Sequence, residues 1–432
     1  MSWEQFQKVL PSTAAIGSAG GLEIGGCDAA GLVREYGSPL FVLDYADVRD
    51  RLRSYRDAFG GPNVYYASKA FLSKAFASVV EEEGLCLEVL AGGELYVALA
   101  AEFPAPRIAV HGNNKSRSEL VEALEAGVGR FVVDSFAELE LLRVLTDELD
   151  KPAQILLRVT PGVEAHTHDY LTTGIEDTKF GFTIGDVAME AIDMAARSDH
   201  IELVGLHSHI GSQILQIEPF VETARVMVRF LDEARRKSAL ELPELDLGGG
   251  LGIAYQPNDE APRIEDLAKV VLEAVASEAE SLGTRVPTIK VEPGRSIIGP
   301  AMVTLYTAGT VKDVSGGSRY VAIDGGMSDN IRPALYQARY TFLSASRPGA
   351  PHDTPSAVAG KLCETGDILG RDVPLPDVEP GEILACAATG AYAYAMSSNY
   401  NKMLRPAVVA VFGGESRPVT RRETYEDLLR LE

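Results

Sequence analysis

The sequence predicts a (β/α)8 barrel followed by a second, all-β domain. Eight short apolar runs recur within about 240 residues, the count and size of such a barrel. Segments of helical period lie between them, and strands that alternate with helices imply parallel strands joined by crossovers. After Pro300 the alternation stops, and β-rich runs separated by Gly, Pro and Asp turns take over. A doubly wound open sheet is the competing architecture for the first part, although it usually has fewer strands.

The elements follow in order. Residues 1–40 are rich in Gly and Ala, look extended, and are expected to join the second domain. Helical periodicity sets in over 44–59, where Val48, Leu52 and Tyr55 share one apolar face. The predicted barrel strands are 64–67, 85–90, 107–111, 130–134, 154–159, 201–207, 242–247 and 288–292. Predicted helices cover 71–83, 116–126, 136–150, 187–197, 219–237 and 264–281. Beyond 300, the runs 303–312, 319–323, 357–363, 383–388 and 407–412 read as strands. The stretch 346–356, with Pro348, Pro351 and Pro355, is at most a surface loop. The expected division is a barrel over 44–300, with 1–43 and 301–432 forming the β-rich domain.

Composition narrows the function. A chain of 432 residues is long enough for two domains, and 46% hydrophobic with 24% charged residues is the balance of a soluble globular protein. Its 40 basic against 62 acidic side chains give a net charge of −22. Such a body repels phosphate backbones and anionic lipid, so neither nucleic acid nor a membrane is expected as a partner. No apolar run approaches the roughly 20 residues that cross a bilayer, and the N-terminal residues lack a secretory pattern. Cys27, Cys86, Cys363 and Cys386 are scattered, which suggests neither a zinc site nor a disulfide framework, and a reducing cytoplasm is the expected compartment.

Barrel active sites lie at the carboxyl ends of the strands, and those positions are unusual here. Lys69 follows the first strand directly; a partly desolvated lysine there can form a Schiff base with a carbonyl, or it can simply open a helix towards solvent. The sixth run leads into His207-Ser208-His209-Ile210-Gly211-Ser212. Either histidine can fill core space or stack on a flat ring, and Ser212 can bind a phosphate. A metal reading finds no carboxylate or cysteine close by in sequence, so none is expected. Gly248, Gly249 and Gly250 after the seventh run let backbone N–H groups converge on an anion, or make a plain tight turn. They fit neither G-x-G-x-x-G nor a Walker loop. Glu292 ends the eighth run, where a buried carboxylate wants a cationic partner, and Gly294 and Arg295 follow. Taken together, a Schiff-base lysine, a stacking histidine, a phosphate nest and a buried carboxylate suit pyridoxal phosphate.

The segments YYASKA, HSHIGSQI, DLGGGLGI, EPGRSIIGP, CETGD and ATGAYAYAMSSNYN, in that order, resemble the fold-type III pyridoxal-phosphate decarboxylases, and among them the diaminopimelate decarboxylases. HGNNKS, VEAHTHDY with DTKFGF, and DGGMSDNIRPALY resemble the actinobacterial form. The resemblance implies pyridoxal 5'-phosphate as cofactor, bound to Lys69, with His209 on the ring and Glu292 at the pyridine nitrogen. It places the phosphate on Ser212, Gly248, Gly249, Gly250 and Tyr392, and counts Gly294 and Arg295 among the cofactor-binding residues. It assigns the substrate to Arg295, Arg332, Tyr336, Glu364 and Tyr392, and the proton donor to Cys363. The implied reaction takes meso-2,6-diaminopimelate to L-lysine and carbon dioxide at the D-centre, the last step of lysine biosynthesis. A homodimer with shared sites, in which CETGD enters the partner's site, is likewise implied.

The competing reading of Cys363 is a small buried hydrophobe, the usual fate of a free cysteine, but the flanking Glu364, Gly366 and Asp367 argue against a simple core position. Glu88 departs from the family, which usually has Asp at this position. Rival readings are a decarboxylase for ornithine, arginine, carboxynorspermidine or a carrier-bound amino acid, and a non-catalytic pyridoxal-phosphate carrier.

Overall fold

The computed structural model describes residues 1–163 and 179–432. The chain divides into two compact units. One comprises Leu52–Gly252 and Ala261–Gly294; the other comprises Met1–Arg51, Ile253–Glu260 and Arg295–Glu432.

In the first unit eight parallel strands follow one another around a barrel: Tyr65–Ala67, Cys86–Val89, Ile108–Val110, Arg130–Val133, Ala153–Thr160, Ile201–His207, Glu244–Asp246 and Thr288–Lys290. The ring closes through a parallel bridge between Val64 and Val291, where the Tyr65 and Val291 N–H groups donate to Val291 O and Asn63 O, each at 2.9 Å. An open doubly wound sheet does not close in this way. Phe131, Val132, Val133, Ile155, Leu156 and Leu157 are all buried. Strands covered on both faces need apolar residues throughout, which is why the sequence shows runs rather than alternation.

The helices between the strands start where local chemistry places them. Ser116 caps Arg117–Ala126 by accepting from the Glu119 N–H, while Glu119 accepts in return from the Ser116 N–H at 2.9 Å. Gly127 ends that helix in the left-handed conformation. Ser135 and Ser73 cap Phe136–Leu149 and Lys74–Glu82 by accepting from the Glu138 and Phe76 N–H groups. Glu218–Ser238 packs an apolar stripe of Phe220, Ala224, Met227 and Leu231 inward. Helix Gly92–Ala100 was not expected: its two leading glycines and unbroken apolar tail hide the helical period.

The second unit is built on a mixed sheet. Its main path runs Ile368–Leu375, Thr354–Ala359, Arg319–Ile323, Met302–Asp313, Leu40–Asp44, Ala407–Phe412, Glu415–Thr420. Leu40–Asp44 pairs antiparallel with Met302–Asp313 and parallel with Ala407–Phe412, and all five of its residues are buried. The N-terminal stretch is not extended throughout. Trp3–Gln7 and Ala29–Tyr36 are helical, the latter started by Asp28 accepting from the Gly31 N–H at 2.8 Å and ended by Gly37. The strand expected over 357–363 stops at Ala359, because the Gly360 N–H turns to bond Asp367 O at 2.8 Å. Cys363 therefore lies on an exposed turn and not in a core. Among the described residues, no helix is long and apolar enough to cross a membrane. Of the segments VEAHTHDY and DTKFGF, residues 164–170, 177 and 178 lie outside the described residues.

Candidate active site

Polar side chains gather at the carboxyl ends of the barrel strands. Arg158, His207, Asp246 and Lys290 are register partners in successive strands, so they form one layer by pairing alone. Glu88 pairs in register with Ala67, two residues before Lys69. A single turn Ser68–Ala70 follows the first strand, and Lys69 Nζ reaches 2.5 Å from Glu88 Oε1. The simple solvent-facing reading of Lys69 is thereby displaced: its amine is held by a buried carboxylate.

Glu292, after the last strand, is buried with two imidazoles. His111 Nε2 lies 2.7 Å from Oε1, and His207 Nε2 lies 3.1 Å from Oε2. Burial alone would raise the Glu292 carboxyl, but the two histidines outweigh it and hold it well below the usual carboxylate range. Asp246 goes the other way. Burial and the nearby Glu292 charge push its carboxyl well up, against a single backbone donor, the Gly248 N–H at 2.8 Å. The sequence objection to a cation near His207 fails in space, since a carboxylate and a second histidine stand beside it, with ligand atoms within 4.8 Å of one another. One hydrogen bond from His207 and one charge contact from His111, both to the same carboxylate, account for the group.

His209 is half-buried in the barrel, and desolvation, then Arg158 and Lys69, hold its imidazole well below its ordinary value, so the ring is neutral. Its Nδ1 accepts from the Gly249 N–H at 3.2 Å, which leaves the proton on Nε2. The three glycines are required where they stand. A Cβ on Gly248, Gly249 or Gly250 would meet Ser208 O, Glu292 O or Gly211 O at 2.6, 2.2 and 2.5 Å. Gly250 also adopts a φ of 115°. The turn thus binds the His209 and Glu292 segments together, beyond what a plain tight turn requires. Half-buried Ser212 follows His209, and Gly294 packs against Ala67.

The second unit gathers a different group. Arg295 and Arg332 both donate to the Tyr255 hydroxyl, at 2.5 and 3.0 Å, and Arg332 also donates to Tyr340. Arg295 lies 4.9 Å from the Tyr392 ring centre, and Arg332 lies 5.9 Å from that of Tyr336. Burial raises the Tyr255 hydroxyl, but the two guanidinium groups outweigh it and the net shift is downward. Paired cations around a hydroxyl suit a carboxylate ligand. Tyr255 and Tyr340 carried no signal in the sequence reading; their role follows from where Arg295 and Arg332 point.

Cys363 and Glu364 occupy an exposed turn, where Glu364 accepts from the Tyr400 hydroxyl. Asp367 anchors that turn: its carboxylate accepts from Leu362 and Met327 N–H groups at 2.9 and 2.6 Å. Any Cβ at Gly360 or Gly326 would strike the same carboxylate.

Comparison with known proteins now decides the family. Residues 45–299 match the model for "Pyridoxal-dependent decarboxylase, pyridoxal binding domain". The chain belongs to the pyridoxal-dependent decarboxylase family. It is 50% identical over 428 residues to the diaminopimelate decarboxylase of Bacillus subtilis, covering 98% of each chain. It is 48% identical over 435 residues to that of Mycobacterium tuberculosis, covering 98% of this chain and 97% of the relative. These near-equal identities do not single out an actinobacterial type. The crystal structure of diaminopimelate decarboxylase from M. jannaschii in complex with L-lysine superposes with a TM-score of 0.91 at 33% identity, covering 98% of each chain.

Such a decarboxylase uses pyridoxal phosphate, and the barrel residues fit that group. Lys69 offers a primary amine, Glu292 a carboxylate kept anionic, His209 a neutral flat ring, and the glycine turn a half-buried backbone. Among the described residues, Ser68 Oγ, Ser208 Oγ and Glu88 Oε2 are buried polar atoms without a hydrogen-bond partner. Buried polar atoms of this kind cost free energy unless a ligand meets them.

Proposed function

We propose that this protein releases carbon dioxide from meso-2,6-diaminopimelate at its D-centre and yields L-lysine. The observation that carries this is the 50% identity, over nearly the whole of both chains, to a diaminopimelate decarboxylase. The Arg295, Arg332 and Tyr255 group supports it, since the substrate's far end carries a carboxylate as well as an ammonium.

When bound, pyridoxal phosphate supplies an aldehyde for an amine and a ring that takes up the charge left as carbon dioxide departs. Lys69 would hold the aldehyde, and Glu88 Oε1 would take the proton that Lys69 Nζ must lose to react. Glu292 would favour a protonated pyridine nitrogen by charge pairing. His209 would shield the ring from water. The glycine turn with Ser212 and Tyr392 would hold the phosphate, with Gly294 and Arg295 also on the cofactor. Arg295, Arg332, Tyr336 and Tyr392 hold the far carboxylate of the substrate, and Glu364 its ammonium. Cys363 delivers a proton to carbon as the acid of its turn. A substrate without the far carboxylate leaves a guanidinium unmet, at about 1–3 kcal/mol or tenfold and more in rate.

The test is carbon dioxide release by the purified holoenzyme from meso-, LL- and DD-diaminopimelate, ornithine and arginine in parallel. Release from the meso isomer, with L-lysine as product, is expected. Release from ornithine or arginine instead overturns the substrate assignment.

The exposed turn of Cys363 and Glu364 supports a second part of the proposal: a homodimer in which this turn serves the partner's site. All four cysteines are free, in keeping with the reducing cytoplasm we assign to it. Mixing inactive Lys69→Ala with inactive Cys363→Ala protein is expected to restore part of the activity, because one site of the mixed dimer is then intact. No restoration under conditions of subunit exchange contradicts shared sites.

A further inference from the structure

We infer that His111 is a positioning residue for Glu292: with His207 it aims the carboxylate and keeps it ionised for the cofactor's pyridine nitrogen. The inference rests on the proposed placing of Glu292 at that nitrogen.

The three side chains come from three different strands. His111 follows Ile108–Val110, His207 ends Ile201–His207, and Glu292 follows Thr288–Lys290. All are buried, at 3%, 0% and 5% exposure, so water does not mediate their pairing. Each carboxylate oxygen meets one imidazole, and the two rings stand edge to face at 5.1 Å and 70°. Glu292 Oε2 is held by the His207 hydrogen bond at 3.1 Å, and Oε1 by the His111 contact at 2.7 Å.

The proton on His207 can be placed. Its Nδ1 is buried and has no hydrogen-bond partner. A proton there would be a buried donor with nothing to receive it, so the ring is neutral and carries its proton on Nε2, facing Glu292. Burial favours the same neutral state. His207 therefore steadies the carboxylate through an N–H without neutralising it, and a net negative charge is left for a cationic ligand.

Asp246 supplies the internal comparison. It is equally buried, at the end of the adjoining strand, but receives only the Gly248 N–H. Its carboxyl is driven towards the neutral form and that of Glu292 towards the anion. The chief difference between these environments is the pair of imidazoles. Carboxyls pushed apart within one site carry separate roles. The charged and titratable groups acting on Glu292 and its partners include His111, His207, His209, Arg158, Asp246 and Glu94, which interacts with His111.

The test reconstitutes the enzyme with pyridoxal phosphate labelled with 15N in the ring and follows the nitrogen signal by NMR over about pH 6 to 9. In the unaltered enzyme the nitrogen is expected to stay protonated throughout. In His111→Leu it is expected to lose its proton within that range, while kcat falls about tenfold or more and KM changes less. His111→Gln, whose amide can still donate, is expected to recover the protonated signal. If the leucine variant fails to fold, His111→Asn, polar but too short to reach, replaces it with the same expectation. An unchanged 15N signal in His111→Leu or His111→Asn overturns the inference. Glu292→Gln separates the two levels. If it shifts the signal while the His111 variants do not, His111 alone loses its role; if it shifts nothing, the placing of Glu292 falls as well.

Discussion

Lys69 Nζ lies 2.5 Å from Glu88 Oε1, and the pair is unequal: the lysine side chain is 40% exposed and that of the glutamate 3%. The buried partner depends on the exposed one. Lys69→Ala is expected to leave Glu88 as a buried carboxylate short of its cation, at a cost of about 1–3 kcal/mol. Lys69→Ala with Glu88→Gln is expected to recover most of that loss while staying inactive. Denaturant midpoints of the four proteins measure the coupling, and additive midpoints contradict it.

The hydroxyl of Tyr255 is shared by Arg295 and Arg332. Tyr255→Phe removes it and keeps the ring. The two guanidinium groups then lose a common acceptor, and KM for diaminopimelate is expected to rise about tenfold with a smaller change in kcat. Steady-state kinetics decides, and a change confined to kcat contradicts a binding role.

Asp329 carries a pH prediction. It is buried, with Tyr306 donating at 2.5 Å and the Gly326 N–H at 2.8 Å. Burial dominates, and its carboxyl is pushed up to about 7. A raised carboxyl stabilises the fold fully below its unfolded value near 4 and loses that contribution as pH rises through about 7. Thermal stability of the unaltered protein is expected to fall over this window, by at most about 4 kcal/mol. Asp329→Asn is expected to flatten the profile. A parallel profile in the variant contradicts the assignment.

Asp367 holds the turn that presents Cys363 and Glu364, through the Leu362 and Met327 N–H groups. Asp367→Asn keeps one acceptor and strands the other amide. Hydrogen exchange at Leu362 or Met327 is expected to quicken at least about tenfold, since a lost hydrogen bond of about 1–3 kcal/mol is a factor of ten or more. Unchanged exchange at both contradicts the anchoring role.

Most of the barrel was legible because its strands are buried on both faces and its helices carry one apolar stripe. The run at 201–207 coincides with Ile201–His207, and 264–281 with Ile264–Leu282 to within a residue. What was not legible depends on contacts distant in sequence. The start of Gly92–Ala100 is met by Glu119, whose carboxylate accepts from the Gly92 N–H at 3.1 Å. Strand Ile368–Leu375 contains Pro374 and an Asp372 with φ of 52°, which disguise it, and it exists by pairing with Thr354–Ala359. In the site, Lys69, His209 and Glu292 stood out because each follows an apolar run. His111 followed one too, but its meaning needed Glu292 beside it, and the chain places them 181 residues apart only in sequence.

With Lys69 as the amine, the barrel's strand ends are the proposed seat of pyridoxal phosphate. Reduction of the holoenzyme with borohydride, followed by peptide mapping, reads this out. A single pyridoxyl group is expected on the peptide containing Lys69, and none in Lys69→Ala. A pyridoxyl group on another lysine of the unaltered enzyme contradicts it.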